Sequence, residues 1–354
     1  MRKMAFLVHL RDIEDLAHVL PLPKFLFGKI LRRPLLSLFW KLKGRNGFSV
    51  VSKFHVNSEA DGHIILIWLT GAQVMDPSKN KMVRKRILEA TLYAQNRLGC
   101  SVVGLGALTA SVTKSGEWLA QAPEVKVAIT HGDSYAAALA IQGVNDVIQK
   151  ISLPKKDSVL AVVGATGIIG KTVSLALAPN FDKLILIGRD TFRLKTLQEE
   201  AQKCGCQVVI DSDLIQVRNA DIVITATSAP KAIIKPEHLK QNAVVLEVSQ
   251  PRNVSPALIK QRPDILLIDG SIASVPSNVK FWWMSLPPYH TFGCMAETVL
   301  QTIANDNNHH VGKVDPLFMD IVMERGRDFG FPAAPFTSFG KSIPPNKFLE
   351  IFSK

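Results

Sequence analysis

The sequence predicts an α/β protein in which an N-terminal mixed α/β substrate domain precedes a doubly wound parallel sheet with a C-terminal helical return. Three observations carry that expectation. A short apolar run at 158–163 leads into the glycine-rich turn Gly164-Ala165-Thr166-Gly167-Ile168-Ile169-Gly170 and a helix from Lys171 to Leu177, the strand, loop and helix order of a Rossmann-like unit. Further apolar runs at 184–188, 208–210, 221–225, 243–247 and 265–268 are spaced by helical stretches, as a doubly wound sheet with covered faces requires. Upstream, strand signals at Phe48–Val56 and 63–69 precede a helix-start signal at Asp76-Pro77-Ser78, so the first half mixes strand and helix.

Residues 1–20 alternate apolar and polar groups. Pro21, Pro23 and Pro34 then frame a segment, Lys24 to Lys43, that is both apolar and basic. That mixture suits either a helix lying in a membrane interface, with lysines on the headgroups, or a helical hairpin over a hydrophobic pocket. The helix opened by Asp76 presents Met82, Ile87, Ala90, Leu92, Ala94 and Leu98 on one side and is closed by Gly99. Its basic side, Lys79, Lys81, Arg84, Lys85 and Arg86, reads as a solvated face that an acidic carrier protein can also use. Residues 101–108 read as a buried strand entering a loop, and a long helix runs from Gly132 to about Lys150. Leu153-Pro154-Lys155-Lys156-Asp157 reads as a hinge. The expected division is 1–152 for the substrate domain and 153–280 for the nucleotide domain. Residues 281–330 then carry Cys294 and helices returning to the first domain, and 331–354 form a proline-rich, irregular tail.

A chain of 354 residues suits about two domains of 100–200 residues. With 47% hydrophobic and 20% charged residues it is globular, and no apolar run of about 18 residues predicts a membrane-crossing helix. The apolar start is too short for a secretory leader before His9, Arg11 and Asp12. The expected location is cytoplasmic, with peripheral membrane contact through residues 24–45 as the membrane option. Cys100, Cys204, Cys206 and Cys294 show no Cys-x-x-Cys spacing and read as free thiols. The net charge of +12 favours acidic partners. Without basic and aromatic interleaving, nucleic acid is not expected among them. His309-His310 lacks Cys or acid at ligand spacing, so no metal site is expected.

Glycines between strand and helix let a phosphate approach backbone N–H groups at the positive helix end, so Gly164, Ala165, Thr166, Gly167, Ile168 and Ile169 read as a dinucleotide cradle. At the end of the second strand, Gly188-Arg189-Asp190 offers a guanidinium for a 2′-phosphate, which favours NADPH over NADH. Thr225-Ala226-Thr227-Ser228 falls at the carboxyl edge of the sheet, where a cofactor passes. Cys294 follows Gly293 at a helix start, where the macrodipole favours thiolate; the other reading is a buried small hydrophobe. Together with a hydride donor, a thiol there suggests reduction of an acyl thioester to an aldehyde. Glu297, one turn later, reads as an orienting group or a surface acid. Ser134, in Thr130-His131-Gly132-Asp133-Ser134-Tyr135, reads either as a thioester-oxygen donor or as a helix cap.

These residues resemble a known family, the cyanobacterial-type long-chain acyl-[acyl carrier protein] reductases. The likeness covers about residues 5–330. It rests on the helix through Arg84 to Gly99, the 130–134 region, the glycine loop and, most specifically, Phe292-Gly293-Cys294-Met295-Ala296-Glu297. The resemblance implies that Cys294 takes the acyl group from acyl carrier protein, or acyl-CoA, and that NADPH reduces the enzyme thioester. The chain departs from the family where an Asn becomes Asp133 and a His becomes Tyr135. Two other readings remain: a dehydrogenase of the shikimate or glutamyl-tRNA reductase type, and a non-catalytic nucleotide-binding protein.

Overall fold

The computed structural model describes residues 1–15, 40, 44, 47–154, 156–279, 281 and 286–352. The chain divides into two compact units. Met1–Gly132, Pro276–Tyr289 and Cys294–Lys313 form one, and Asp133–Val275, His290–Gly293 and Val314–Lys354 form the other.

In the first unit, strands β1 (Arg2–Leu10), β2 (Phe48–Val56), β3 (Ala60–Thr70), β4 (Val102–Leu105) and β5 (Ala128–Thr130) form one sheet in the order β2-β3-β1-β4-β5. All neighbours are parallel except β2 with β3. β1 is central, and Met4, Ala5, Phe6 and Leu7 are all buried. An alternating reading of residues 1–20 therefore does not describe it, because a strand covered on both faces has no polar side. Helix Asn80–Tyr93 follows the turn Pro77–Lys79, whose cap Asp76 accepts from Ser78 N at 3.0 Å. It buries Val83, Ile87 and Ala90 against Leu7, Ile65, Val103 and Leu105. Gly99, at φ 69°, ends the following turn.

The basic side of this helix is not simply solvated. Arg84 Nε donates to Val112 O at 2.8 Å and its guanidinium lies 5.4 Å from the Trp118 ring centre. Arg86 donates to Trp68 O and Gly44 O at 3.2 and 3.1 Å, and Lys79 pairs with Asp76 at 2.6 Å. Long basic side chains reach carbonyls beside the core while covering apolar surface. Most of the basic segment 24–45 lies outside the described residues. Trp40 within it packs edge-on to Trp68, with ring centres 6.1 Å apart.

In the second unit, β6 (Val159–Val163), β7 (Lys183–Ile187), β8 (Gln207–Asp211), β9 (Ile222–Thr225), β10 (Val244–Glu247) and β11 (Leu266–Asp269) form a parallel sheet in the order β11-β10-β9-β6-β7-β8. The order reverses between β6 and β9, the switch point of a Rossmann-like sheet. Two crossovers are shorter than expected: the turns Leu214–Asn219 and Pro236–His238 replace full helices. Helix Asp133–Lys150 packs Ala137, Ala140, Val144 and Val147 with Leu160, Val162, Leu184 and Leu246. This helix, expected with residues 1–152, thus belongs to the second unit, because its apolar stripe matches the face of that sheet.

The tail, expected to be irregular over 331–354, is ordered in its described part: a hairpin of Thr337–Ser338 and Lys341–Ser342 leads into helix Pro345–Phe352, with Phe331, Phe348 and Ile351 buried. Asp269, at the end of β11, holds it by accepting from Thr337 Oγ1, Phe339 N and Gly340 N at 2.8, 3.1 and 2.7 Å. The tail prolines separate elements and do not prevent them. Among the described residues, no helix is long and apolar enough to cross a membrane.

Candidate active site

The glycine loop turns sharply out of β6. Gly164, at φ +89°, and Ala165 donate to Ile187 O at 2.9 and 3.0 Å. A Cβ on Gly164 would run into the backbone of Ala226, and one on Gly170 would run into that of Gly164. The first allows the tight turn and the second the close approach of helix to strand. Gly167 starts helix Ile168–Leu177 without a side-chain cap, so its leading N–H groups suit a phosphate. Gly188 packs close to Thr166, where a Cβ would lie 3.2 Å from Thr166 Cγ2.

The 225–228 turn lies at the carboxyl edge, as expected, and is held by a residue that sequence reading missed. Glu247, fully buried at the end of β10, accepts from Thr225 Oγ1 at 2.6 Å and from Ser249 N, Asn253 N and Val254 N at 3.1, 2.7 and 2.8 Å. Burial pushes its carboxyl pKa up, against the pull of these donors. Thr227 N in turn donates to Ser249 Oγ at 2.9 Å and Thr227 Oγ1 to Asn253 Oδ1 at 2.7 Å, while Ser228 is half-buried. An acid closing the apolar run Val244-Val245-Leu246 was the available signal.

Arg189 and Asp190 are exposed. Asp190 caps helix Thr191–Gln202 by accepting from Arg193 N at 3.0 Å, which commits it to the helix start. Arg193, also missed, donates from its guanidinium to Thr166 O and so places a cation at the glycine loop.

In the first unit, Cys294 is half-buried in the opening turn of helix Gly293–Ile303. Gly132, at φ +76°, lies against it: a Cβ there would overlap Cys294 Cα and Cβ and sit 2.9 Å from its carbonyl oxygen. Gly132 N donates to Thr130 Oγ1 at 3.2 Å, and Thr130 Oγ1 donates to Glu297 Oε1. Thr298 Oγ1 donates to Cys294 O at 2.9 Å. Glu297 is fully buried, so it is not a surface acid. His131 is buried too, and burial lowers its pKa while Glu297 opposes the change.

Ser134 is buried in the first turn of Asp133–Lys150, in the second unit. Tyr135 is fully buried there and donates from its hydroxyl to Phe331 O; burial raises its pKa. Burial also pushes the Asp133 carboxyl from 3.8 up to about 7. The folded state therefore holds a proton that the unfolded chain has lost, a stabilisation present below about pH 4 and lost as pH rises through 7. Asp133→Asn is expected to raise the melting temperature by a few degrees at pH 8 and by less at pH 5, as thermal melts at the two pH values would show.

The other cysteines lack a comparable setting. Burial pushes the Cys100 thiol up to about 12, Cys206 is buried near Ala201 O at 3.5 Å, and Cys204 is exposed. Among the described residues, no group of three or more His, Cys, Asp or Glu is arranged to hold a metal ion.

Over residues 146–269 the chain matches the family described as shikimate/quinate 5-dehydrogenase. It is similar to the aminotransferase PigE of Serratia sp., 27% identical over 264 residues, which cover 72% of this chain and 30% of that protein. It is also similar to the long-chain acyl-[acyl-carrier-protein] reductase of Synechococcus elongatus, 26% identical over 234 residues, covering 62% and 66%. A glutamyl-tRNA reductase of Methanococcoides burtonii is 28% identical over 152 residues, covering 40% and 34%. The chain spans less than two thirds of the length of each of these relatives. The residues that match this dehydrogenase family span the six strands of the second unit's parallel sheet.

Proposed function

We propose that the protein is an NAD(P)-dependent oxidoreductase that reduces a long-chain acyl thioester, presented by acyl carrier protein or coenzyme A, to the aldehyde. The observation that carries the reading is the seating of Cys294, a half-buried thiol in the opening turn of a helix whose backbone is clamped against Gly132. Its Sγ attacks the acyl carbonyl carbon as thiolate, the carrier thiolate leaves and takes up a proton, and the acyl group stays on Cys294. N–H groups of the helix start favour the oxyanion. A nicotinamide cofactor held at the Gly164–Gly170 turn would supply hydride for reduction of this thioester to the aldehyde, with the Cys294 C–S bond broken. The Cys294 thiolate is then free for another acyl group.

The cradle fits that cofactor: Gly164 and Gly170 leave no room for a Cβ, and the helix start after Gly167 has no side-chain cap. Arg189 and Arg193 supply charge for the 2′-phosphate of NADPH. A charge-assisted contact is worth about 1.5–3 kcal/mol, so Arg189→Ala is expected to weaken NADPH binding about 10–100-fold and leave NADH unchanged, by fluorescence titration.

A second reading, a dehydrogenase of the shikimate or glutamyl-tRNA reductase type, is favoured by the match over residues 146–269. A shikimate-type site needs a Lys–Asp pair for proton transfer, and Lys79–Asp76 in the first unit is engaged at a helix start. Intact-protein mass spectrometry after mixing with long-chain acyl carrier protein or acyl-CoA separates the two. An adduct that NADPH discharges supports acyl reduction, and no adduct with any chain length supports the second reading.

A further inference from the structure

Around Cys294 a short circuit of contacts closes within the first unit. The Gly132 amide donates to Thr130 Oγ1 at 3.2 Å, Thr130 Oγ1 donates to Glu297 Oε1, and Glu297 lies on the same helix as Cys294, three residues on. The circuit is completed by Gly132 itself, which packs on the Cys294 backbone so tightly that no Cβ fits. A threonine hydroxyl has one proton. With a lone pair of Thr130 engaged by the Gly132 amide, that proton needs an acceptor elsewhere, and Glu297 supplies it. Burying a carboxyl here carries a desolvation cost that an apolar residue of the same size would avoid.

We propose that Glu297 is a positioning residue: it pins the Thr130 hydroxyl so that the turn at Gly132 holds the Cys294 backbone in register and presents Sγ. The proposal rests on the reading of Cys294 as the nucleophile. Thr298, whose hydroxyl donates to Cys294 O at 2.9 Å, anchors the same turn from the helix side. Charged and titratable neighbours are His131 and the His310–Asp306 pair, 3.2 Å apart. None of them replaces the acceptor, because the hydroxyl proton of Thr130 goes to Glu297.

The test is the rate of Cys294 alkylation by iodoacetamide on the full chain, followed by mass spectrometry from pH 6 to 10, with circular dichroism for the fold. Thr130→Val and Glu297→Leu are expected to lower the rate tenfold or more at pH 8. Thr130→Ser and Glu297→Gln, which keep the hydroxyl and an acceptor oxygen, bring it back to within threefold of the wild type. A wild-type alkylation rate across the pH range in folded Thr130→Val overturns the proposal, whatever becomes of the Glu297 variants. Alkylation does not depend on acyl chemistry. Slowed alkylation in these variants with no acyl adduct on the wild type would uphold the positioning role and remove the acyl-transfer reading.

Discussion

Replacing Cys294 by alanine is expected to abolish acyl-enzyme formation and lower aldehyde production at least a thousandfold, with NADPH affinity unchanged within twofold. Among the described residues, no other cysteine is seated in the opening turn of a helix. Cys100 is held as a thiol by burial and Cys206 is buried in the other unit, so neither offers a thiolate at a helix start. Cys294→Ser, with a far weaker nucleophile, should be almost as inactive. The split between intact cofactor binding and lost chemistry separates a catalytic thiol from one that only packs. It is read by a fluorescence titration beside an aldehyde assay. Equal turnover in Cys294→Ala would remove the thiol from the mechanism.

Gly164→Ala should be nearly as damaging, by a different route. The residue sits at φ +89° with the Ala226 backbone where a Cβ would go. Forcing an L side chain into left-handed backbone costs about 1–2 kcal/mol, and overlap in a packed site costs about 1–3 kcal/mol more. The backbone must shift, and the N–H groups that would face a phosphate move with it. NADPH affinity is expected to fall a hundredfold or more, with a lowered melting temperature. Cys294 alkylation should persist, since the thiol belongs to the other unit. Near-wild-type affinity in a folded variant would mean that the loop does not cradle the cofactor.

The parallel sheet was legible because each of its strands is a short apolar run bounded by turn residues, and the glycine loop lies between such a run and a helix. β1 was not, since a central strand buried on both faces carries no alternation. The helix at 133–150 was visible, but its allegiance was not: a stripe of Ala and Val records that a face is buried, not which sheet covers it. Pro154 and its lysines suggested a hinge, whereas the change of unit falls at Gly132 and Asp133. At the site, Cys294 stood out by its context. Glu247 did not, and Glu297 was open between an orienting group and a surface acid, because a lone acid looks exposed until its partner, Thr225 or Thr130, arrives from distant sequence. Arg84 and Arg86 show the converse, basic residues on an apparently wet helix face that reach carbonyls within the fold.

The fate of the acyl group tests the thioester route most directly. Acylated enzyme, freed of excess donor, would be mixed with NADPH carrying deuterium at the transferable C4 position, and the released product analysed by mass spectrometry. The expected product is a long-chain aldehyde with one deuterium at its carbonyl carbon, with Cys294 left unmodified. Release of the free fatty acid, or of aldehyde without deuterium, would rule out hydride transfer to a Cys294 thioester.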